Sequence, residues 1–117
     1  MKQYDSAATS LTRASEINPE NQETWFNLGL ACAALDRYEE AIDAFTNATK
    51  KGPQRAEIWF EAAKAYTSVK RYNEAIKAYE EVVKLDAENY EAWFRMGQCC
   101  SMQGLSDKAV EAFRKAI

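Results

Sequence analysis

The sequence predicts an all-α chain of about seven helices, arranged as stacked antiparallel hairpins, and three observations carry that prediction. The 117 residues are 47% hydrophobic and 28% charged with only four Gly and two Pro, too apolar for disorder and too poor in helix breakers for a loop-rich scaffold. A single spacing of 34 residues organises the chain: it relates Trp25, Trp59 and Trp93, and also Ala7, Ala41, Ala75 and Ala109. Leu11, Phe45, Tyr79 and Phe113 keep the same step, as do Pro19 and Pro53. Within each period, apolar residues recur twice at helical spacing, so each repeat holds two helices.

The first helix, over 2–17, carries Tyr4, Ala7, Ala8, Leu11 and Ala14 along one stripe. Trp25, Leu28, Cys32 and Leu35 define the second, over 22–35, and Tyr38, Ala41, Ile42, Phe45 and Ala48 the third, over 38–51. Asp36 with Glu39 three residues on reads as a capping box for that third helix, and Gly52-Pro53 ends it. The fourth, over 56–69, bears Trp59 and Tyr66 and breaks near Lys70-Arg71; the fifth spans 72–85. Asp86-Ala87-Glu88-Asn89 leads into the sixth, over 90–103, and Gly104 with Ser106 as cap precedes the seventh, over 106–117. Gly29 and Gly97 stand in helix interiors, where Gly costs about 1 kcal/mol relative to Ala. Close approach of the facing helix, at Ala41 and Ala109, is the expected compensation, with Trp25 and Phe45 filling the space between hairpins.

Trp25-x-x-Leu28-Gly29-x-x-Cys32, followed by Ala41-x-x-x-Phe45 and Pro53, resembles the tetratricopeptide repeat. The second copy departs at Ala62 and Ala63 but keeps Tyr66; the third reads Trp93, Met96, Gly97, Cys100, Ala109 and Phe113. The resemblance covers the whole chain and implies a right-handed α-α superhelix forming one solenoid domain over 1–117. In that frame 1–21 supply the second helix of a partial repeat, 22–55 and 56–89 are whole repeats, and 90–117 an incomplete one. Neither end carries a dedicated cap, so the chain is expected to be a fragment of a longer array whose ends stack on neighbouring molecules or exchange helices.

Chemistry is sparse. The chain has no His, no phosphate-cradling Gly loop and no nucleophile elbow, so no catalytic residue, cofactor or metal ligand is expected and the reading is non-enzymatic. Cys32, Cys99 and Cys100 lack metal-ligand spacing and read as reduced, buried thiols, which with the polar Met1-Lys2-Gln3-Tyr4 start suggests a soluble, cytoplasmic setting. A net charge of -3 supplies no field for nucleic acid, and no apolar run reaches membrane-spanning length.

What the resemblance implies instead is a concave groove lined by the first helix of each repeat. Its register picks out Glu23, Phe26, Asn27 and Leu30 in the first repeat, Glu57, Phe60, Glu61 and Lys64 in the second, and Glu91, Phe94, Arg95 and Gln98 in the third. The phenylalanines of this set either anchor a ligand or fill the seam between neighbouring helices. The glutamates at its start either favour basic ligands or answer the helix dipole. The expected partner is a protein or peptide, neutral to basic.

Acidic Hsp70 or Hsp90 tails are not expected. The clamp that holds them in this family falls on Phe26, Leu30, Glu61, Glu91 and Arg95, of which Arg95 alone fits, and shifting by one repeat puts Glu57 and Glu61 where cations belong. The leading function is a scaffold or adaptor holding a peptide or protein surface in that groove. Two alternatives remain open: self-assembly or spacing through the uncapped ends, and a regulatory or substrate-recruiting segment of a larger enzyme.

Overall fold

The structure, a computed structural model, describes residues 2–117; Met1, where the polar opening stretch begins, lies outside them. Seven helices appear: α1 (Lys2–Ile17), α2 (Gln22–Ala34), α3 (Tyr38–Lys50), α4 (Ala56–Ser68), α5 (Tyr72–Leu85), α6 (Tyr90–Met102) and α7 (Ser106–Ala116). The described residues contain no strand. Each boundary falls within one residue of its expected place, because the 34-residue period puts a breaker at every connection.

The chain divides into two compact units, Met1–Gln54 and Arg55–Ile117. In the first, α1 packs on α2 and α2 pairs with α3. In the second, α4 pairs with α5, α5 packs on α6 and α6 pairs with α7. Burial in the first unit centres on Ala41, Phe45 and Ala48, all with no exposed surface. The second has a continuous core running from Ala63 through Ala75, Tyr79 and Val82 to Ala92, Cys99 and Cys100.

The turn inside each hairpin has one construction, and it corrects two expectations. Asp36, Lys70 and Gly104, again 34 residues apart, take left-handed backbone with φ of 60°, 64° and 74°. The amide of each bonds back to the carbonyl three residues earlier, and the next amide reaches five residues back, as in Arg37 N to Cys32 O at 2.9 Å and Leu105 N to Cys100 O at 2.8 Å. This is the Schellman closure. Asp36 therefore ends α2 rather than capping α3, and its carboxylate accepts from the Tyr38 hydroxyl at 2.9 Å. The capping position belongs to Arg37, and in the last hairpin to Leu105 rather than Ser106, with no side-chain cap bond at either.

Side-chain caps appear where the repeats join instead. Asn21 accepts from Thr24 N at 3.3 Å and Asn89 from Ala92 N at 3.0 Å. The tryptophan register also serves these loops: Trp25 donates its indole N–H to Pro19 O at 2.7 Å, and Trp93 donates to Ala87 O at 3.0 Å. Gln22 holds the exit of α3 by donating to Ala48 O and Pro53 O at 3.0 and 2.8 Å.

The mid-helix glycines face a different neighbour from the one expected. A Cβ on Gly29 would stand 2.5 Å from the Phe45 ring, and one on Gly97 2.7 Å from the Phe113 ring. The ring of the second helix rests on bare backbone of the first, so Phe45 fills the inside of its own hairpin.

Candidate functional site

The groove-register residues fall on α2 in the first unit and on α4 and α6 in the second. On α2, Phe26 is only 7% exposed and lies tilted against Phe45 at 5.9 Å, whereas Glu23, Asn27 and Leu30 are exposed. Each remaining phenylalanine likewise meets the aromatic of its own hairpin's second helix: Phe60 sits edge-on to Tyr79 at 5.8 Å, and Phe94 tilts against Phe113 at 5.6 Å. Phe94 nevertheless stays 49% exposed, and Gln98, one turn further along α6, faces solvent.

The second unit brings four of the expected residues together. Glu57, Phe60, Glu61 and Glu91 line an open cleft of about 380 Å³ together with Ala56, Asp86 and Asn89. Cations rim this cleft. Lys64 lies 3.3 Å from Glu61 with its ammonium 5.5 Å from the centre of the Phe60 ring, and Arg95 donates to Glu91 at 2.9 Å while its guanidinium stands 5.9 Å from that same ring. Glu57 pairs with Arg55. Glu61 and Glu91 thus hold cations along their own helices and Glu57 holds the residue that precedes its helix, pairings worth well under 1 kcal/mol each at exposed positions. Counting the cleft alone, the carboxylates outnumber the basic groups that line it.

Behind the Phe60 ring lies a polar arrangement that sequence reasoning missed. Tyr79 is 1% exposed, and its hydroxyl is near enough to Thr67 of α4 and to Arg95 of α6 for both to act on it. Thr67 in turn donates to Ala63 O at 2.9 Å and meets the Cys99 sulfur at 3.6 Å. Burial pushes the Tyr79 phenol up to about 12, against the opposing pull of Arg95. Arg95 is held by Glu91 and lies close to the Tyr79 hydroxyl. The available signal was the hydroxyl itself: Tyr79 stands in a register that is otherwise Leu11, Phe45 and Phe113, and a buried hydroxyl requires a partner.

The three cysteines are free and buried, and burial raises all three thiols, so they remain protonated at neutral pH. Among the described residues no group of His, Cys, Asp or Glu is arranged to hold a metal ion, and no helix is long and apolar enough to cross a membrane.

Repeated hairpins with an aromatic seated on a glycine, joined by tryptophan-anchored loops, define a class that comparison with known proteins identifies. The tetratricopeptide repeat profile matches residues 1–56, 36–75 and 60–117, and the chain belongs to that family. It superposes on the crystal structure of MamA with a TM-score of 0.91 at 27% identity, covering 97% of this chain and 66% of that one. A MamA RS-1 ArsTM double mutant gives 0.89 at 22% identity, over 97% and 64%. YrrB, described as a TPR protein with an unusual peptide-binding site, gives 0.88 at 20%, over 98% and 59%. The last two likenesses show the fold alone. This chain spans 59% to 66% of the length of these solved chains. No curated protein matches it in sequence. Members of this family are typically non-enzymatic modules for protein interaction, which makes a protein-interaction scaffold the general functional class.

Proposed function

We propose that the chain is an adaptor that holds a neutral to basic peptide against the first helices of the repeats in its Arg55–Ile117 unit, α4 and α6, within a longer cytoplasmic array. One observation carries the reading: the cleft around Phe60 is lined by that ring and by four carboxylates, Glu57, Glu61, Asp86 and Glu91, against three cations paired with them, Arg55, Lys64 and Arg95, which leaves a net negative charge. An apolar floor supplies contact area, and surrounding acids favour lysine or arginine over glutamate through long-range attraction. Prefolded helices leave most of the ordering cost to the peptide, which points to moderate affinity. Fluorescent decapeptides alternating leucine with lysine or with glutamate test this by anisotropy. The lysine peptide is expected to bind at least tenfold tighter, and a Glu57→Gln, Glu61→Gln, Glu91→Gln variant to lose most of that preference. Equal binding of both peptides by the unaltered chain, or a preference that survives the triple change, refutes the reading.

A second reading is favoured by a separate observation. Tyr90, Phe94, Phe113, Ala116 and Ile117, with Glu91, line a largely apolar cleft of about 660 Å³ on the α6–α7 hairpin. Self-association through this face would appear as concentration-dependent sedimentation that Ile117→Asp abolishes, a result the peptide-adaptor reading alone does not produce.

A further inference from the structure

A second cleft in the Arg55–Ile117 unit, of about 360 Å³, lies among α5, α6 and α7 and shares no lining residue with the cleft around Phe60. Its volume is within the range of clefts that hold one ligand group or side chain. The floor is apolar: Met96, Cys100 and Ala112 are buried, and half-buried Trp93 forms one side. Cys100 contributes a thiol to this lining. At the same register in the preceding repeat stands Tyr66, whose ring lies beneath the Arg71 guanidinium at 5.2 Å. Exchanging that ring for a thiol leaves this position without an aromatic group.

The walls carry opposite charges. Glu80 lies on α5 and Lys108 on α7, both near enough to Cys100 to act on its thiol, the lysine lowering its pKa and the glutamate raising it against a larger effect of burial. Neither forms an ion pair among the described residues. The other two rim charges are engaged along their own helices: Lys84 lies 3.4 Å from Glu81, and Glu111 lies 3.9 Å from Lys115. The cleft is therefore lined by a carboxylate on α5 and an ammonium on α7, neither held in an ion pair among the described residues, beside an apolar floor.

We propose that this cleft docks an extended segment of a partner protein that inserts one aromatic side chain, with a basic residue two positions to one side and an acidic residue two positions to the other. In an extended chain, residues two apart point the same way about 6.6 Å apart, so the ring and both flanking charges face the cleft together. The span of about 13 Å between the charges is of the order needed to cross neighbouring helices packed about 8–10 Å apart.

The test titrates the unaltered protein with the capped peptide Gly-Lys-Ser-Phe-Ser-Glu-Gly. Readouts are calorimetry and the indole cross-peak of Trp93 in a nitrogen–proton correlation spectrum. Saturable binding that shifts this peak is expected, with peptides bearing two Lys or two Glu at the flanking positions at least fivefold weaker. Glu80→Lys is expected to invert the order, so that the two-Glu peptide becomes the tightest. Cys100→Tyr, which restores the ring of Tyr66, is expected to abolish binding of all three. Should that variant fail to fold, the inversion by Glu80→Lys decides alone. No binding at millimolar peptide, equal binding of the three peptides, or an order that Glu80→Lys leaves unchanged overturns the proposal. None of these outcomes depends on the acids around Phe60.

Discussion

Replacing Tyr79 by Phe removes one buried hydroxyl and nothing else, since Phe45 and Phe113 occupy the same register in the neighbouring hairpins. At neutral pH the loss of its polar interactions with Thr67 and Arg95 is expected to cost about 1 kcal/mol, the net worth of an ordinary hydrogen bond. Both partners keep other bonds, Thr67 to Ala63 O and Arg95 to Glu91, so neither is left unsatisfied. In alkali the balance reverses. The phenol ionises near 10 in the unfolded chain and at about 12 in the folded one. Its contribution is therefore fully present below pH ~10 and is lost as pH rises towards ~12. Two pH units correspond to about 3 kcal/mol, of which roughly half is gone by pH ~11. The variant has no such term. Titration of the other tyrosines, the lysines and the cysteines is common to both proteins and cancels in the difference. Urea denaturation at pH 8, 10, 11 and 11.5 is therefore expected to show Tyr79→Phe less stable by about 1 kcal/mol at first, level between pH ~10 and ~11, and more stable beyond. A gap that stays constant across the series refutes the argument, because it would mean that burial does not hold this phenol protonated.

The two mid-helix glycines provide a paired test. Gly29→Ala forces a methyl into a Phe45 ring with no exposed surface, and is expected to cost about 2 kcal/mol net, overpacking outweighing the gain in helix propensity. Gly97→Ala meets Phe113, which is only partly buried and can swing outward, so its cost should stay below about 1 kcal/mol by thermal or urea unfolding; equal losses at the two sites would contradict this. At the left-handed turn residue Lys70, Gly is expected to stabilise by about 0.5–1 kcal/mol and Ala not at all, since a Cβ strains this backbone whatever else the side chain carries. Melting curves of the two variants that coincide would refute the assignment of strain there.

The repeat architecture was legible because its determinants are local and recur. Helix-spaced apolar residues, Gly52-Pro53 and the tryptophan register all act within a few residues of themselves, and repetition cancels the ambiguity of any one copy. The turn at Asp36 was misread for the same local reason. Asp followed three residues later by Glu has the pattern of a helix start, yet here the preceding helix closes first, through the Arg37 amide bonding to Cys32 O. Of the groove residues, Glu57, Phe60, Glu61 and Glu91 converge on one cleft, while Phe26 is taken up in packing against Phe45.

The order of helices, their ends and the pairing of the two helices in each hairpin follow from the residues of single repeats, and the sequence alone determined them. Three things were decided only by tertiary packing. The Tyr79 hydroxyl meets Thr67 of α4 and Arg95 of α6, the ring above Gly29 comes from the facing helix, and Glu80 and Lys108 come to line one cleft with Cys100. Each depends on side chains from two or three helices arriving at one point. Spacing along a chain states which face of a helix a residue occupies, but not how far the neighbouring helix stands from it or whether the atom opposite completes a bond.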